Sequence, residues 1–496
     1  MIIMGKSFAK CALVLILAVT FMVGGQVKSA DAKAKTAKYV FLFVGDGMGL
    51  PQRAATAAYT GKKLAIDAMP AQGITTTFAA NRFITGSAAS ATSLASGIKT
   101  NINYIGVDPD FKPVKTIAEM AKEQGKKVGI VSSVSIDHAT PAAFYAHVKT
   151  RKMYHEIDVA LAKSGFDFFA GGGLKDPAGK KSKAPQGDAL KIAKDNGYTI
   201  INNKKDFMAI KPGDGKILAW NEWLQDGKAL PYVMDMTEKD ITLPEFTSKA
   251  IEMLDNDKGF FLMVEGGKID WACHANDATA SILNTISFDE SVQKALAFYK
   301  KHPKDTLIVV TGDHECGGLT LGFAGTKYGS HFEILGQQKV SFQKFTDEIF
   351  ADFKKKGGNF EAMKPVITKN FGLKFSGDPK KDALALADFQ IAEIKTAFDR
   401  SMAGKEKASG SEYIMYGEYE PIAVAITHVL NQKAGLGWTS YKHTGVPVST
   451  SAIGVGSASF NGSYDNVDIA TKIMSLMGLK AKPQYVNSGK MQMAAN

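Results

Sequence analysis

Four runs in this chain of 496 residues, 39–44, 127–132, 260–264 and 306–311, are rich in β-branched and aromatic residues and place apolar side chains at consecutive positions instead of only every second one. A strand that alternates can leave one face in water, whereas a strand apolar on both sides has to be covered on both. Segments of helical pattern separate the runs, and Gly or a polar cluster bounds each of them. The pattern predicts an α/β fold: a three-layer α/β/α sandwich whose large, mostly parallel central sheet carries helices on both sides. In such sheets ligands gather at the carboxyl ends of the strands. Asp46, Glu265 and Asp313 fall at three of those ends.

Six short motifs place metal-ligand or phosphate-handling residues at such points: 44–49 (VGDGMG), 85–90 (TGSAAS), 136–151 (IDHATPAAFYAHVKTR), 264–274 (VEGGKIDWACH), 311–318 (TGDHECGG) and 442–445 (KHTG). Asp, Glu and His are the ligand types that Zn²⁺ and Mg²⁺ select. Asp46 is flanked by Gly45, Gly47 and Gly49, which let the backbone turn tightly, and its carboxylate could bridge two metals. A plain turn uses the same residues. Asp270 and His274 share one helical face and can chelate one ion. Asp313 and His314 are adjacent, so they need a strand giving way to a loop to point the same way. Glu265 and Thr140 offer hard oxygens suited to Mg²⁺ with retained waters.

Small helix-favouring residues follow Ser87, putting its hydroxyl near a helix N-terminus, where free N–H groups suit a phosphate. It is a nucleophile or simply a helix cap. For a bidentate phosphate clamp Arg151 offers a planar fork, while its neighbours Lys149 and Lys152 offer point charges.

In order and content the six motifs resemble those of the alkaline phosphatase family, from about residue 38 to about residue 480. The resemblance implies a metal-dependent hydrolase of phosphate monoesters that works through a phosphoserine. It aligns Ser87, not Ser90, with the phosphorylated serine and selects Arg151 as the clamp. It assigns Asp270, His274 and His443 to one zinc, and Asp46, Asp313 and His314 to a second beside Ser87. Zinc would make the serine oxygen easier to deprotonate. One Mg²⁺ completes the set, with Thr140, Glu265 and, through a water, His138. Trp271 occupies a position where the family varies among Lys, His and Trp, and should shape the phosphate pocket without a formal charge. One departure stands out: the family often carries Asp before the nucleophile to hold the arginine, and here the residue is Gly86.

Phosphodiesterases of the same superfamily generally lack the third-metal residues, and a sulfatase would need Cys or Ser in a C/S-x-P-x-R context, which 87–90 does not supply. A binding protein that had lost catalysis would not be expected to keep nucleophile, arginine and every ligand. His147, His155, His302, His331 and His428 match no ligand position and read as structural or surface residues. The resemblance leaves a homodimer open.

Lys6 and Lys10, an apolar run over 11–24 and Ala30-Asp31-Ala32 follow the order of a cleavable secretory signal, residues 1–32. The run falls short of the roughly 20 residues that span a bilayer, so no stable membrane anchor is expected. The remaining residues, 33–496, read as one catalytic domain of an exported, periplasmic or extracellular protein. The formal charge of +11 could favour anionic substrates, yet nothing resembles a nucleic-acid module, and the basic run 175–183 reads as a solvated loop. Of three cysteines, Cys273 and Cys316 lie outside the signal; a bridge, a thiol beside the metals and inert packing are all open. Between about 339 and 412 the pattern changes to amphipathic helices, with Phe342, Phe345, Ile349 and Phe353 on one stripe and Leu384, Ala387, Ile391, Ile394 and Phe398 on another. These read as an inserted helical subdomain.

Overall fold

Strand β1 (Tyr39–Gly45) is buried at all seven positions, and its side chains divide by parity. Val40, Leu42 and Val44 enter one hydrophobic cluster, while Tyr39, Phe41 and Phe43 enter a second on the opposite face. That division is the period of two acting on a strand covered twice. The computed structural model describes residues 36–404 and 410–486, so the signal segment 1–32 lies outside the described residues.

Nine further strands join β1 in one sheet: β2 (Ala71–Thr76), β3 (Lys127–Ser132), β4 (Phe168–Gly171), β5 (Tyr198–Ile201), β6 (Lys216–Trp220), β7 (Phe260–Glu265), β8 (Thr306–Gly312), β9 (Val448–Gly454) and β10 (Gly462–Asp465). Their order is β10-β2-β9-β8-β1-β7-β3-β4-β6-β5. Strand β9 runs antiparallel to both β8 and β2, and every other neighbouring pair is parallel. One cluster draws on the helices Ser87–Ser96, Ile117–Glu123 and Asn466–Leu476; the other draws on Leu243–Leu254 and Ala278–Lys301. Helices therefore cover both faces, giving the expected α/β/α layering.

A third cluster lies over the helical region. Phe342 to Lys355 forms one continuous rod of α, π and α turns, so its aromatic stripe faces a common core. The helix Asp388–Met402 begins later than its stripe suggests, because Leu384 precedes it and Ala387 occupies the N-cap. Between the two stands Phe360–Phe371, a helix the pattern did not announce, with Pro365 inside it. The cluster also takes in Tyr232, Ala272, Ala275 and the helix Pro421–Ala434, so these helices pack against the carboxyl side of the sheet rather than standing apart.

Candidate active site

Parallel pairing brings the strand ends level. Val44 pairs with Glu265, Gly45 with Gly312, and Ser132 with Glu265, so the residues just beyond converge at one edge. There Gly47 adopts φ +71° and its N–H donates to Asp313 Oδ1 at 3.1 Å. A Cβ at Gly47 would stand 2.7 Å from the Cα of Asp270. Only glycine lets these three segments close up.

The convergence forms three groups of donor atoms: Asp270, His274, His443 and Cys316; Asp46, Asp313 and His314; and Asp46, His138 and Glu265. Asp46 belongs to two of them. In the first group His274 Nε2 and His443 Nε2 lie 3.1 Å apart. Their Nδ1 atoms face backbone carbonyls, Tyr441 O at 2.6 Å and Thr85 O at 2.9 Å, which fixes the tautomer and aims both Nε2 lone pairs inward. Asp270 lies 3.3 Å from the first and 3.5 Å from the second. His314 Nε2 stands 3.2 Å from Asp313, 3.5 Å from Asp46 and 3.3 Å from Ser87 Oγ. Thr140 Oγ1 reaches Asp46 Oδ2 at 3.3 Å, and Ser132 donates to Glu265.

Asp46 Oδ1, Glu265 Oε1, Asp270 Oδ1 and Asp313 Oδ2 are buried without a hydrogen-bond partner. Burial, reinforced by the neighbouring carboxylates, pushes Asp46 far above its ordinary range, and burial with Asp270 pushes Asp313 up to about 8. Glu265 rises to about 7, again chiefly through burial. Asp270 differs: burial would raise it, but the positive charge available on His274 and their hydrogen bond hold it well below. Burial keeps His314 well below its ordinary value, helped by His443, and His138 likewise, helped by Arg151. Neutral imidazoles and desolvated carboxylates with free oxygens are the donor set that divalent cations satisfy. The residues present fit a metal centre.

Ser87 opens the helix Ser87–Ser96 after Gly86, and no side chain caps that end, so its first N–H groups remain free for an anion. Ser90, one turn on, is committed elsewhere: its hydroxyl donates to Asp313 O at 2.7 Å and accepts from Asn466 at 3.0 Å. Arg151 Nη2 donates to His138 Nε2 at 2.8 Å. Trp271 stands edge-on to His138, 5.6 Å between ring centres. Ser87, His138, Arg151 and Trp271 share a cavity of about 330 Å³ with Asp226, Tyr232, Phe342, Gln343 and Tyr419. Behind the wall, buried Lys268 Nζ lies 3.6 Å from the Tyr232 ring centre and 4.9 Å from that of Trp271.

Sequence reasoning missed the five wall residues just named, because Asp226 stands in none of the six motifs, Gln343 is no ligand type and aromatic residues such as Phe342 look like core. Cys316 also escaped assignment: its Sγ joins the Asp270 group, while Cys273 contacts Gln52 and Ser281, and both are free thiols. Asp137 turns away, accepting from the Lys175 N–H at 2.6 Å. The five histidines set aside in the sequence join none of the three donor groups.

Fold and site together define an enzyme of the phosphate-ester hydrolase class. The family model for alkaline phosphatase matches residues 37–479. The chain belongs to the alkaline phosphatase family. It is 33% identical over 475 residues to alkaline phosphatase 4 of Bacillus subtilis (strain 168), spanning 91% of this chain and 92% of that protein. Its structure is similar to the cold-active alkaline phosphatase of a psychrophilic Shewanella sp., with a TM-score of 0.72 and 28% identity over 88% of this chain and 99% of that one. A variant of the alkaline phosphatase from the Antarctic bacterium TAB5, solved with Mg bound, aligns with a TM-score of 0.63 at 28% identity, covering 90% and 100%.

Proposed function

We propose that this alkaline phosphatase hydrolyses phosphate monoesters through a phosphoserine at Ser87, with two Zn²⁺ and one Mg²⁺ per chain. The observation that carries the reading is the set of three donor groups linked by Asp46, with the Ser87 hydroxyl 3.3 Å from His314 Nε2. Asp270, His274 and His443 would hold one zinc; Asp46, Asp313 and His314 would hold the other. Glu265 and Thr140 with His138 would take the magnesium; a His-to-Glu variant of the TAB5 relative was solved with Mg bound. Bound cations would supply charge for the serine oxygen, the leaving oxygen and the water that later attacks.

The chain's own residues do the rest. Free N–H groups at the start of the Ser87 helix and the guanidinium of Arg151 orient the phosphate so that the Ser87 oxygen faces phosphorus. Trp271 and Tyr232 wall off water beside it. The Ser87–phosphorus bond forms as the ester oxygen leaves with its electron pair, and water then cleaves the phosphoserine. The N-terminal pattern supports an exported protein with residues 33–496 as its catalytic domain. Among the described residues no helix is long and apolar enough to cross a membrane.

Initial rates on an aryl phosphate monoester and the matching diester test the activity, with the monoester strongly preferred. A diester rate equal to or above the monoester rate would move the chain to phosphodiester chemistry.

A further inference from the structure

Asn276 sits two residues past His274, outside the three donor groups, yet it joins the segments that aim His274 and His443. Its φ of +54° lies in the left-handed region, which Asn enters more readily than most residues. There it stops the helix Lys268–His274 and turns its side chain back on that helix. The amide nitrogen donates to two carbonyls, Cys273 O at 2.8 Å within the helix and Ser440 O at 2.9 Å in the segment leading to His443. The amide oxygen accepts from His428 Nε2 at 3.0 Å, and the backbone carbonyl accepts from Asn431 Nδ2 at 2.7 Å. Burial pushes His428 down to about 4, so a neutral imidazole supplies its bond. Asn276 is buried, and every polar atom of its side chain is paired.

The effect reaches the donor group through one carbonyl. Tyr441 O, the next carbonyl after Ser440 O, receives His274 Nδ1 at 2.6 Å. The His428 ring lies nearly parallel to that of Tyr441, 16° between planes and 6.0 Å between centres. Because His428 and Asn431 both belong to the helix Pro421–Ala434, Asn276 locks three segments together at the point where His274 is oriented. Ser440 N–H also donates to Gly317 O at 3.0 Å, so loss of Asn276 should loosen the carbonyls without detaching the segment.

We propose that Asn276 is a positioning residue for the zinc assigned to Asp270, His274 and His443, holding the helix end that bears His274 against the carbonyl that fixes its tautomer. The inference rests on the two-zinc reading above. The position needs a donor facing two carbonyls and an acceptor facing His428. Asp would set an acceptor oxygen against both carbonyls.

The test is chelator titration of the metal-loaded enzyme, with released zinc measured step by step. Asn276→Gly keeps the left-handed backbone and removes the side-chain bonds; Asn276→Asp keeps the shape and loses the donors. His443→Ala removes a ligand and so marks which release step belongs to this zinc. In both Asn276 variants that step should show about tenfold weaker affinity, with the other step as in the parent. His428→Phe keeps a ring beside Tyr441 and removes one bond to Asn276, so it should weaken the same step about threefold in a fold that retains Asn276. A merely structural role would lower Tm and move both steps alike or neither. Either result, weakening of the other step alone, or an unchanged His428→Phe titration would overturn the role of Asn276 and leave the two-zinc reading standing. A parent that binds no zinc would remove that reading itself.

Discussion

Ser87 and Ser90 share a helix, a burial class and a residue type, yet their surroundings separate them. Ser87 faces His314 and the open cavity, whereas Ser90 already uses its hydroxyl as donor and acceptor. Ser87→Ala is expected to lower kcat by about a thousandfold or more while metal content holds. Ser90→Ala should instead cost about 1–3 kcal/mol of stability, for two buried bonds, and leave phosphate trapped on residue 87. Peptide mapping of the trapped phosphate decides between them. Gly86 is the other residue with a distinct expectation. A Cβ there meets nothing nearer than His443 at 3.9 Å, so Gly86→Asp is accommodated. A carboxylate partner for Arg151 should tighten inhibition by inorganic phosphate with metal content unchanged, and unaltered inhibition would show that His138 already suffices.

Among the elements, the helix Ile117–Glu123 carries a pH-dependent tie to the segment bearing His147. Thr116 and Glu119 form a capping box, and Glu119 also receives His147 Nε2 at 2.9 Å. Burial is the largest influence on both groups and opposes ionisation. Their hydrogen bond and mutual charge override it, leaving Glu119 below its ordinary 4.5 and His147 above its ordinary 6.5. The Glu119 contribution is complete above 4.5 and fades as pH falls through its lowered value. That of His147 is complete below 6.5 and fades as pH rises through its raised value. Both are therefore present between these limits. His147→Gln should lower Tm more at about pH 5.5 than well above the His147 value, by an amount equivalent to about 1–3 kcal/mol. Equal losses at both pH values would show that the pair is not charged. Elements also differ in how plainly the sequence announces them. Strand β1 was legible because apolar residues at every position admit few other readings, and Asp270 with His274 because four-residue spacing on a helix has a fixed geometric meaning. Phe360–Phe371 was not, since Pro365 in mid-pattern argues against a helix unless the surrounding core compensates. Tyr232, Phe342 and Tyr419 were illegible as pocket residues because only tertiary packing decides which aromatic rings face a cavity. The Arg151–His138 bond depends on a side-chain direction that spacing cannot specify.

For the whole molecule, the site's position and its concentration of buried carboxylates have one cause. A parallel sheet collects its strand ends, and this chain places Asp46, Glu265, Asp270 and Asp313 there, all buried and each with an oxygen unpaired. Concentrated buried anions oppose folding unless cations answer them, so metal binding should stabilise the fold as well as enable the chemistry. Chelation is expected to lower Tm and to abolish activity together. Because ligand histidines bind metal only when neutral, activity should also fall in acid. The most direct test is the metal content of the purified, active protein by elemental analysis. The account predicts two zinc ions and one magnesium ion per chain, with activity lost as they are removed. Fully metal-free protein that hydrolyses monoesters at an undiminished rate would contradict it.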